Sequence, residues 1–227
     1  MGIIFKDLFT EPTTDTALPS HTPTDNGTGY TEEANNTAFV INALTSTGKA
    51  KASGSKGSRR IVYSMQPDPA IAEYDVEIVQ STVDFFGLDD PFVLGGRWTD
   101  TSNKYGLSVR RSAVGSTATY EIFKEVSGTV TSLASTTTPL ADGDDTKFEI
   151  RDAAKKGFKN GTEILSTTDN VITEVGKAFF GLGDVFVAGA DVDSTWEFDD
   201  LRVTELDAGV ATSFIPYKNY MKPLLVR

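Results

Sequence analysis

Three carboxylates at alternating positions are the residues of this chain best placed to do chemistry together. They are Glu73, Asp75 and Glu77, in the stretch EYDVE. Because successive side chains of a β-strand point to opposite faces, a strand here puts all three on one face and Tyr74 and Val76 on the other. Two carboxyl groups about 5 Å apart can cleave a glycosidic bond. In a regular strand, however, the Cα atoms of Glu73 and Glu77 lie about 13 Å apart, so a bulge or long side chains must close the gap. The simpler interpretation is the polar face of an ordinary strand, and we predict no catalytic site.

The histidine and cysteine content excludes several other chemistries. The chain has one histidine and no cysteine, so neither a thiolate-zinc site nor a histidine-pair metal site can form. His21 lies in a proline-rich stretch, where it lacks the rigid support that a Ser-His-Asp arrangement needs. We therefore expect an exposed loop histidine. Acidic turns such as Asp142–Asp145 and Asp199–Asp200 could bind Ca²⁺, but none has the spacing of an EF-hand loop. We predict no metal site and no cofactor.

One local cluster has the residue types that hold sugars. Trp98, Asp100, Asn103 and Tyr105 lie within the stretch GRWTDTSNKY. Aromatic rings can stack on the C–H groups of a sugar while carboxylate and amide groups bind its hydroxyls. The alternative is a structural pair of strands. We keep these four residues as the candidate ligand-binding site.

The composition predicts a soluble β protein with little affinity for nucleic acid. The chain has 227 residues, 39% of them hydrophobic, and a formal net charge of −11. Neutralising phosphates needs clustered Lys and Arg, so nucleic acid is not an expected partner. No stretch approaches the roughly 20 apolar residues that span a membrane, and the N-terminal residues do not form a signal peptide. We expect no membrane contact.

Alternation of apolar and polar residues predicts an all-β fold. Tyr105, Leu107 and Val109, for example, alternate with polar neighbours, and Phe148 and Ile150 do the same. Gly, Pro and Asn-Gly turns recur between such runs, giving about eleven candidate strands at a spacing typical of sandwiches. We predict a two-sheet antiparallel β-sandwich at 37–207, preceded by a first strand and an extended Pro/Thr-rich arm (1–36) and followed by a tail (208–227).

The closing third of the chain resembles a known fold family. An Asn-Gly turn, a short strand, a polar turn and an aromatic strand follow one another in Phe158–Gly183, and Trp196–Thr204 (WEFDDLRVT) supplies a last strand. This order resembles the concanavalin A-like lectin/glucanase jelly roll in its laminin-G-like form, over roughly Phe39 to Leu206. Sugar binding is that family's usual association. In its laminarinase-type hydrolases the E-x-D-x-E signature implies Glu73 as nucleophile, Glu77 as acid/base and Asp75 as an assisting group.

The two ends of the chain carry a second resemblance and a candidate assembly element. The opening phrase, D.FT followed by HTPT and GYT, resembles jelly-roll proteins of bacteriophage virions. The tail is apolar, aromatic and basic, which is unusual for a solvated segment. It either packs on its own domain or docks on a neighbouring subunit. The candidate assembly residues are Phe214, Ile215, Tyr217, Lys218, Tyr220, Lys222, Leu224, Leu225 and Arg227.

These observations support three hypotheses of different classes. The first is a non-enzymatic structural protein of a bacteriophage particle, a capsid decoration or a fibre or spike component. Its expected location is the virion, its expected partners are other virion proteins and copies of itself, and it could contact host surface glycans. The second is a carbohydrate-binding module. The third is a laminarinase-type glycoside hydrolase acting through Glu73 and Glu77.

Overall fold

The computed structural model shows a two-sheet antiparallel β-sandwich, which confirms the predicted fold class. It describes residues 2–9, 16–23, 27–35, 40–44, 49–53, 61–82, 91–100, 102–111, 117–182 and 197–206. One 3₁₀ turn, Leu18–Ser20, accompanies the strands. Within these ranges no helix is long and apolar enough to cross a membrane.

Sixteen strands are described. In chain order they are β1 (Gly2–Asp7), β2 (Thr16–Ala17), β3 (Gly29–Asn35), β4 (Val40–Leu44), β5 (Lys49–Ser53), β6 (Ile61–Gln66), β7 (Tyr74–Thr82), β8 (Phe92–Asp100), β9 (Asn103–Arg111), β10 (Thr117–Val126), β11 (Thr129–Pro139), β12 (Asp145–Arg151), β13 (Ala154–Lys159), β14 (Thr162–Thr168), β15 (Lys177–Leu182) and β16 (Glu197–Glu205). One sheet has the order β14-β13-β12-β7-β16-β5-β4-β2, with β1 also paired to β16, and the other has the order β11-β10-β9-β8-β15-β6-β3.

The alternating apolar residues form the core between the two sheets, as the sequence predicted. Tyr74, Val76 and Ile78 of β7 face Tyr105 and its neighbours across the sandwich, and all are fully buried. The predicted Asn160-Gly161 turn joins β13 to β14, with φ of 49° and 70°, the left-handed values that a two-residue hairpin of this kind requires. In the last strand Phe198, Leu201 and Val203 are buried as expected. Trp196 lies outside the described residues.

The N-terminal stretch differs from the arm that its prolines predicted. β1 pairs with β16, β2 with β4 and β3 with β6, so the described part of residues 1–36 contributes two strands to one sheet and one to the other. Pro19 lies within the 3₁₀ turn that precedes β3. The boundaries at residues 36 and 207 and the whole of 208–227 lie outside the described residues, so the proposed assembly residues stay a prediction.

A buried polar cluster fastens this N-terminal stretch, and it overturns the expectation of an exposed His21. His21 is 3% exposed, and its Nε2 lies 2.7 Å from Oδ2 of the fully buried Asp7. The Tyr30 hydroxyl donates to the same oxygen at 2.7 Å, and the Phe9 backbone N–H donates to the other at 2.8 Å. Burial acts to raise the pKa of Asp7, but the hydrogen bonds of His21 and Tyr30 outweigh it and hold that pKa below its usual value.

Candidate functional site

β7 holds all of the EYDVE stretch except Glu73, and it runs through the nine-stranded sheet between β12 and β16. Its pairing with β12 is regular from Tyr74 to Val79. Because the strand is regular there, Asp75 and Glu77 point away from the core that Tyr74 and Val76 fill. The two carboxylates therefore lie on the outer face of this sheet, in the middle of a polar surface.

A cavity of about 380 Å³ opens on this outer face, and we call it the β7 pocket. Its sides come from four strands and one hairpin turn. The lining residues are Ile3, Asp75, Glu77, Asp145, Lys147, Gly161, Arg202 and Thr204.

Two cations from the neighbouring strands reach the carboxylates of the pocket. Lys147 of β12 places its Nζ 3.4 Å from Oδ2 of Asp75 and 3.8 Å from Oε2 of Glu149. Arg202 of β16 places its Nη1 3.7 Å from Oε2 of Glu77. Arg202 follows a bulge in β16, where Asp200 has φ of 47°, and its guanidinium also pairs with the Asp200 carboxylate. The pocket thus holds acceptors and donors side by side.

Asp75 is the least satisfied charged group of this surface. Its side chain is only 11% exposed, and Oδ1 has no hydrogen-bond partner among the described residues. Burial raises the pKa of Asp75 to about 6, against the opposing effect of Lys147 and with help from the nearby Glu149. Burial also raises the pKa of Glu77, in opposition to Arg202. Carboxyl groups perturbed in this way within a pocket are typical of functional sites.

Glu73, the third predicted carboxylate, lies outside the pocket. It precedes β7, and its backbone carbonyl accepts a hydrogen bond of 3.0 Å from the Leu206 N–H. Four residues of extended chain put the Cα atoms of Glu73 and Glu77 about 13 Å apart, and the regular β12 pairing contains no bulge that would shorten the distance. The structure therefore brings Asp75 and Glu77 together but leaves Glu73 at the start of the strand.

The predicted sugar-binding cluster is wrong as a ring-stacking site, because both aromatic rings are buried. Tyr105 is fully buried in the core, and its hydroxyl pairs with Asp169. Trp98 is 2% exposed and packs edge-on against Phe179, with the Lys104 ammonium 4.7 Å from its ring centroid.

The two polar members of that cluster stabilise turns. The Asn103 amide donates to both carboxylate oxygens of Asp100, at 2.9 and 2.8 Å. Asn103 Oδ1 accepts from the Ser127 N–H at 3.0 Å, which ties the β8–β9 turn to the β10–β11 turn. These groups therefore have a structural use at one end of the sandwich.

Calcium binding, which the acidic turns left open, gains no support from the described residues. Among them no group of three or more His, Asp or Glu side chains comes together in a way that could hold a metal ion. Asp89 and Asp90 lie outside the described residues. Whether Ca²⁺ binds therefore stays open.

The comparisons with known proteins add the fold type. No protein-family model and no curated protein matches the chain. Among solved structures, the carbohydrate-binding module CBM66 from Bacillus subtilis has 18% identity and a TM-score of 0.54, covering 80% of this chain and 98% of that one. The chain has a concanavalin A-like jelly-roll fold. The same fold occurs in the CBM2 module of the evolved Dit of Lactobacillus casei BL23 phage J-1 (10% identity, TM-score 0.52, 89% of this chain and 94% of that one) and in an endo-β-1,3-glucanase from Pyrococcus furiosus (12%, 0.54, 89% and 94%).

Sequence reasoning found the acidic half of the β7 pocket and missed its basic half. Lys147 and Arg202 lie 70 and 125 positions beyond Glu77 in the chain. Buried and less buried residues alternate along β12 and β16, and both Lys147 and Arg202 are at positions that point away from the core. Which strands pair with β7 is a property of the topology, and local alternation carries no signal for it.

Proposed function

We propose that this protein binds a glycan in the β7 pocket. The observation that carries the proposal is Asp75, a mostly buried carboxylate that lines an open cavity and whose Oδ1 has no hydrogen-bond partner among the described residues. A buried acceptor without a donor costs free energy, and a hydroxyl group of a ligand would remove that cost. Because Oδ1 is itself covered, the carboxylate would turn toward the cavity to meet a donor that enters from outside.

The mixture of groups around Asp75 suits sugar hydroxyls better than a simple anion or cation. Each hydroxyl donates one hydrogen bond and accepts others. Asp75 and Glu77 can accept from such groups, while Lys147 and Arg202 can donate to them. Ile3, which is 47% exposed at the edge of the pocket, offers an apolar surface to the C–H groups of a ring.

The comparisons support this class of ligand. Two of the three similar structures are carbohydrate-binding modules by name, and the third is a glucanase. Binding without turnover is part of the proposal. A retaining hydrolase needs two carboxyl groups about 5 Å apart, and Glu73 does not line the pocket with Glu77.

The setting that we propose for this binding is a bacteriophage particle. Two observations support it, the opening phrase of the sequence and the similarity to a module of a phage Dit protein. In that setting the sandwich would contact glycans of the host surface, and the partners of the chain would be other virion proteins. Detection of the chain in purified particles by mass spectrometry tests this part, and its absence from them would contradict it.

The binding itself is tested by calorimetric titration with soluble β-1,3-glucan, β-1,4-glucan, galactan and a bacterial cell-wall polysaccharide. We expect one of these to bind the wild-type chain, and Asp75→Asn to weaken that affinity about tenfold, the loss of one charge-assisted hydrogen bond. Glu163→Gln is the matched control, because Glu163 is exposed on β14 of the same sheet, does not line the pocket and hydrogen-bonds Lys156 and Ser166 instead. Equal affinity of Asp75→Asn and wild type would contradict the proposal.

The hydrolase remains a second candidate, favoured by the raised pKa values of Asp75 and Glu77 on one face. It predicts release of reducing ends from β-1,3-glucan, and their disappearance in Glu77→Gln. Binding without release of reducing ends supports the module, and release that depends on Glu77 supports the enzyme.

A further inference from the structure

A second concave surface lies at one end of the sandwich, away from the β7 pocket, and we call it the end groove. It consists of two adjoining cavities of about 360 and 420 Å³ that share Thr99 and Glu174. The segment 169–176, between β14 and β15, forms one wall. The proposal below is independent of glycan binding.

The wall of the end groove is held rigidly from beneath. The Tyr105 hydroxyl accepts from the N–H groups of Val171 and Ile172, both at 3.1 Å. The buried Arg97 donates through Nη1 to the Ile172 carbonyl at 2.7 Å, and Lys155 Nζ donates to the Asp169 carbonyl at 2.9 Å. The backbone of this segment is therefore fixed before anything binds.

The same wall presents unusual apolar exposure. Val171 is 57% and Val175 48% exposed, and with Ile3 they are the large apolar side chains that stand out from the described surface. They lie beside three carboxylates of the groove, Asp68, Asp100 and Glu174, with one ammonium nearby. Exposed aliphatic groups edged by net negative charge fit a segment that is apolar and basic.

The chain itself carries such a segment, and it starts next to the groove. Glu205 accepts a hydrogen bond from the Ala70 N–H, and the two residues before Ala70, Asp68 and Pro69, line the groove. From Leu206, the last described residue, six residues lead to Ser213. At about 3.4 Å per residue this connection spans up to about 24 Å. The segment 213–227 (SFIPYKNYMKPLLVR) then has three cations, no acidic side chain and eight large apolar or aromatic side chains.

We propose that residues 213–227 bind in the end groove of their own chain. The apolar side chains of the segment would cover Val171 and Val175, and its cations would face the groove carboxylates. A short connection gives the attached segment an effective concentration in the millimolar range, which favours its own groove over that of a second copy. The β7 pocket is a poorer site for a basic segment, because Lys147 and Arg202 already pair with its carboxylates Asp75 and Glu77.

Limited trypsin digestion of the full chain tests this proposal. Cleavage after Lys218 releases the peptide 219–227, and Lys222 is protected by the following proline. We expect slow release from the wild type, and release at least about tenfold faster from Glu174→Lys, which reverses a groove charge, and from Val175→Asn, which removes an apolar contact without adding charge. Glu163→Lys is the matched charge-reversal control, because Glu163 is exposed and lies outside both cavities of the groove.

The outcomes separate the occupants. Equal release rates from wild type, Glu174→Lys and Val175→Asn would overturn the proposal. Protection that weakens as the protein is diluted would also overturn it, because it would show that the segment occupies a second copy. Protection that is independent of protein concentration and lost only in the two groove variants would establish the intramolecular contact.

Discussion

Replacing Asp75 by asparagine should raise the free energy of unfolding at neutral pH, although the change removes the ion pair with Lys147. The reason is that Asp75 is buried with one oxygen unpartnered, so its ionised form is held at a cost. Asparagine has nearly the same shape and carries no charge. A binding residue that lowers stability is a common trade-off between function and stability.

The size of the effect follows from the pKa. Burial raises the pKa of Asp75 from 3.8 to about 6. Without solvent screening, this difference would lower the stability of the wild type by about 3 kcal/mol at neutral pH. Solvent screening in the open pocket weakens this effect, and Lys147 loses a charged partner in the variant. We therefore expect the free energy of unfolding of Asp75→Asn to exceed that of the wild type by about 1–2 kcal/mol.

The sign of the pH dependence makes the test specific. Below about pH 3.8 Asp75 is protonated in both the folded and the unfolded chain, so the variant gains nothing there. Between about 3.8 and 6 the unfolded chain is ionised and the folded chain keeps its proton, so the wild type loses stability as the pH rises. Above about pH 6 the difference is constant.

Urea unfolding at pH 4, 5, 6 and 7 measures this difference. We expect the stability of Asp75→Asn relative to wild type to grow with pH and then to level off. Glu163→Gln should show no gain at any pH, because its hydrogen bond with Lys156 lowers the pKa of Glu163. A variant that is less stable than wild type at pH 7, or whose gain is the same at pH 4 and 7, would refute the reasoning.

Three further predictions concern the frame that positions the two sites. Asp7→Asn should lower the free energy of unfolding by about 2–4 kcal/mol at pH 7, because it breaks the buried pair with His21. The pKa of Asp7 in the folded chain lies below 3.8, so this loss should persist above pH 3.8 and fade as the pH drops through the folded pKa. Thermal unfolding at several pH values measures the loss. Gly95→Ala should cost at least about 2 kcal/mol in urea unfolding, because an added Cβ would lie 2.0 Å from the ring of the buried Phe179; an unchanged midpoint would contradict this packing. Lys155→Met should cost about 2–4 kcal/mol, because three backbone carbonyls lose their donor, and faster amide hydrogen exchange in residues 169–176 should accompany the loss.

Periodicity was sufficient to predict the core and the outward face of β7, because both depend on local alternation alone. Tyr74, Val76 and Ile78 point inward for the same reason that Asp75 and Glu77 point outward. The alternation of β7 carries no information about which strands lie on either side of it. The basic half of the pocket was therefore beyond sequence reasoning.

Irregular backbone explains one wrong prediction, and a contact between distant residues explains another. The β8–β9 pairing shifts register between Gly96 and Asp100, and Arg97 adopts φ of 50°. Such a shift changes the face of the residues that follow, so alternation could not show that Trp98 packs against Phe179. His21 was expected to be exposed because proline-rich stretches are usually loops, but its partner Asp7 lies 14 positions away and its burial depends on that distant contact.

The central claim is that a glycan binds in the β7 pocket, and mapping the bound ligand by ¹H–¹⁵N NMR tests it most directly. The polysaccharide that binds in the calorimetric panel would be titrated into the labelled full chain. We predict that the amide signals of Asp75, Glu77, Lys147 and Arg202 shift together with saturation, while those of the end groove stay unchanged. Shifts confined to the end groove or to other parts of the chain, with the four pocket signals unmoved, would contradict the account.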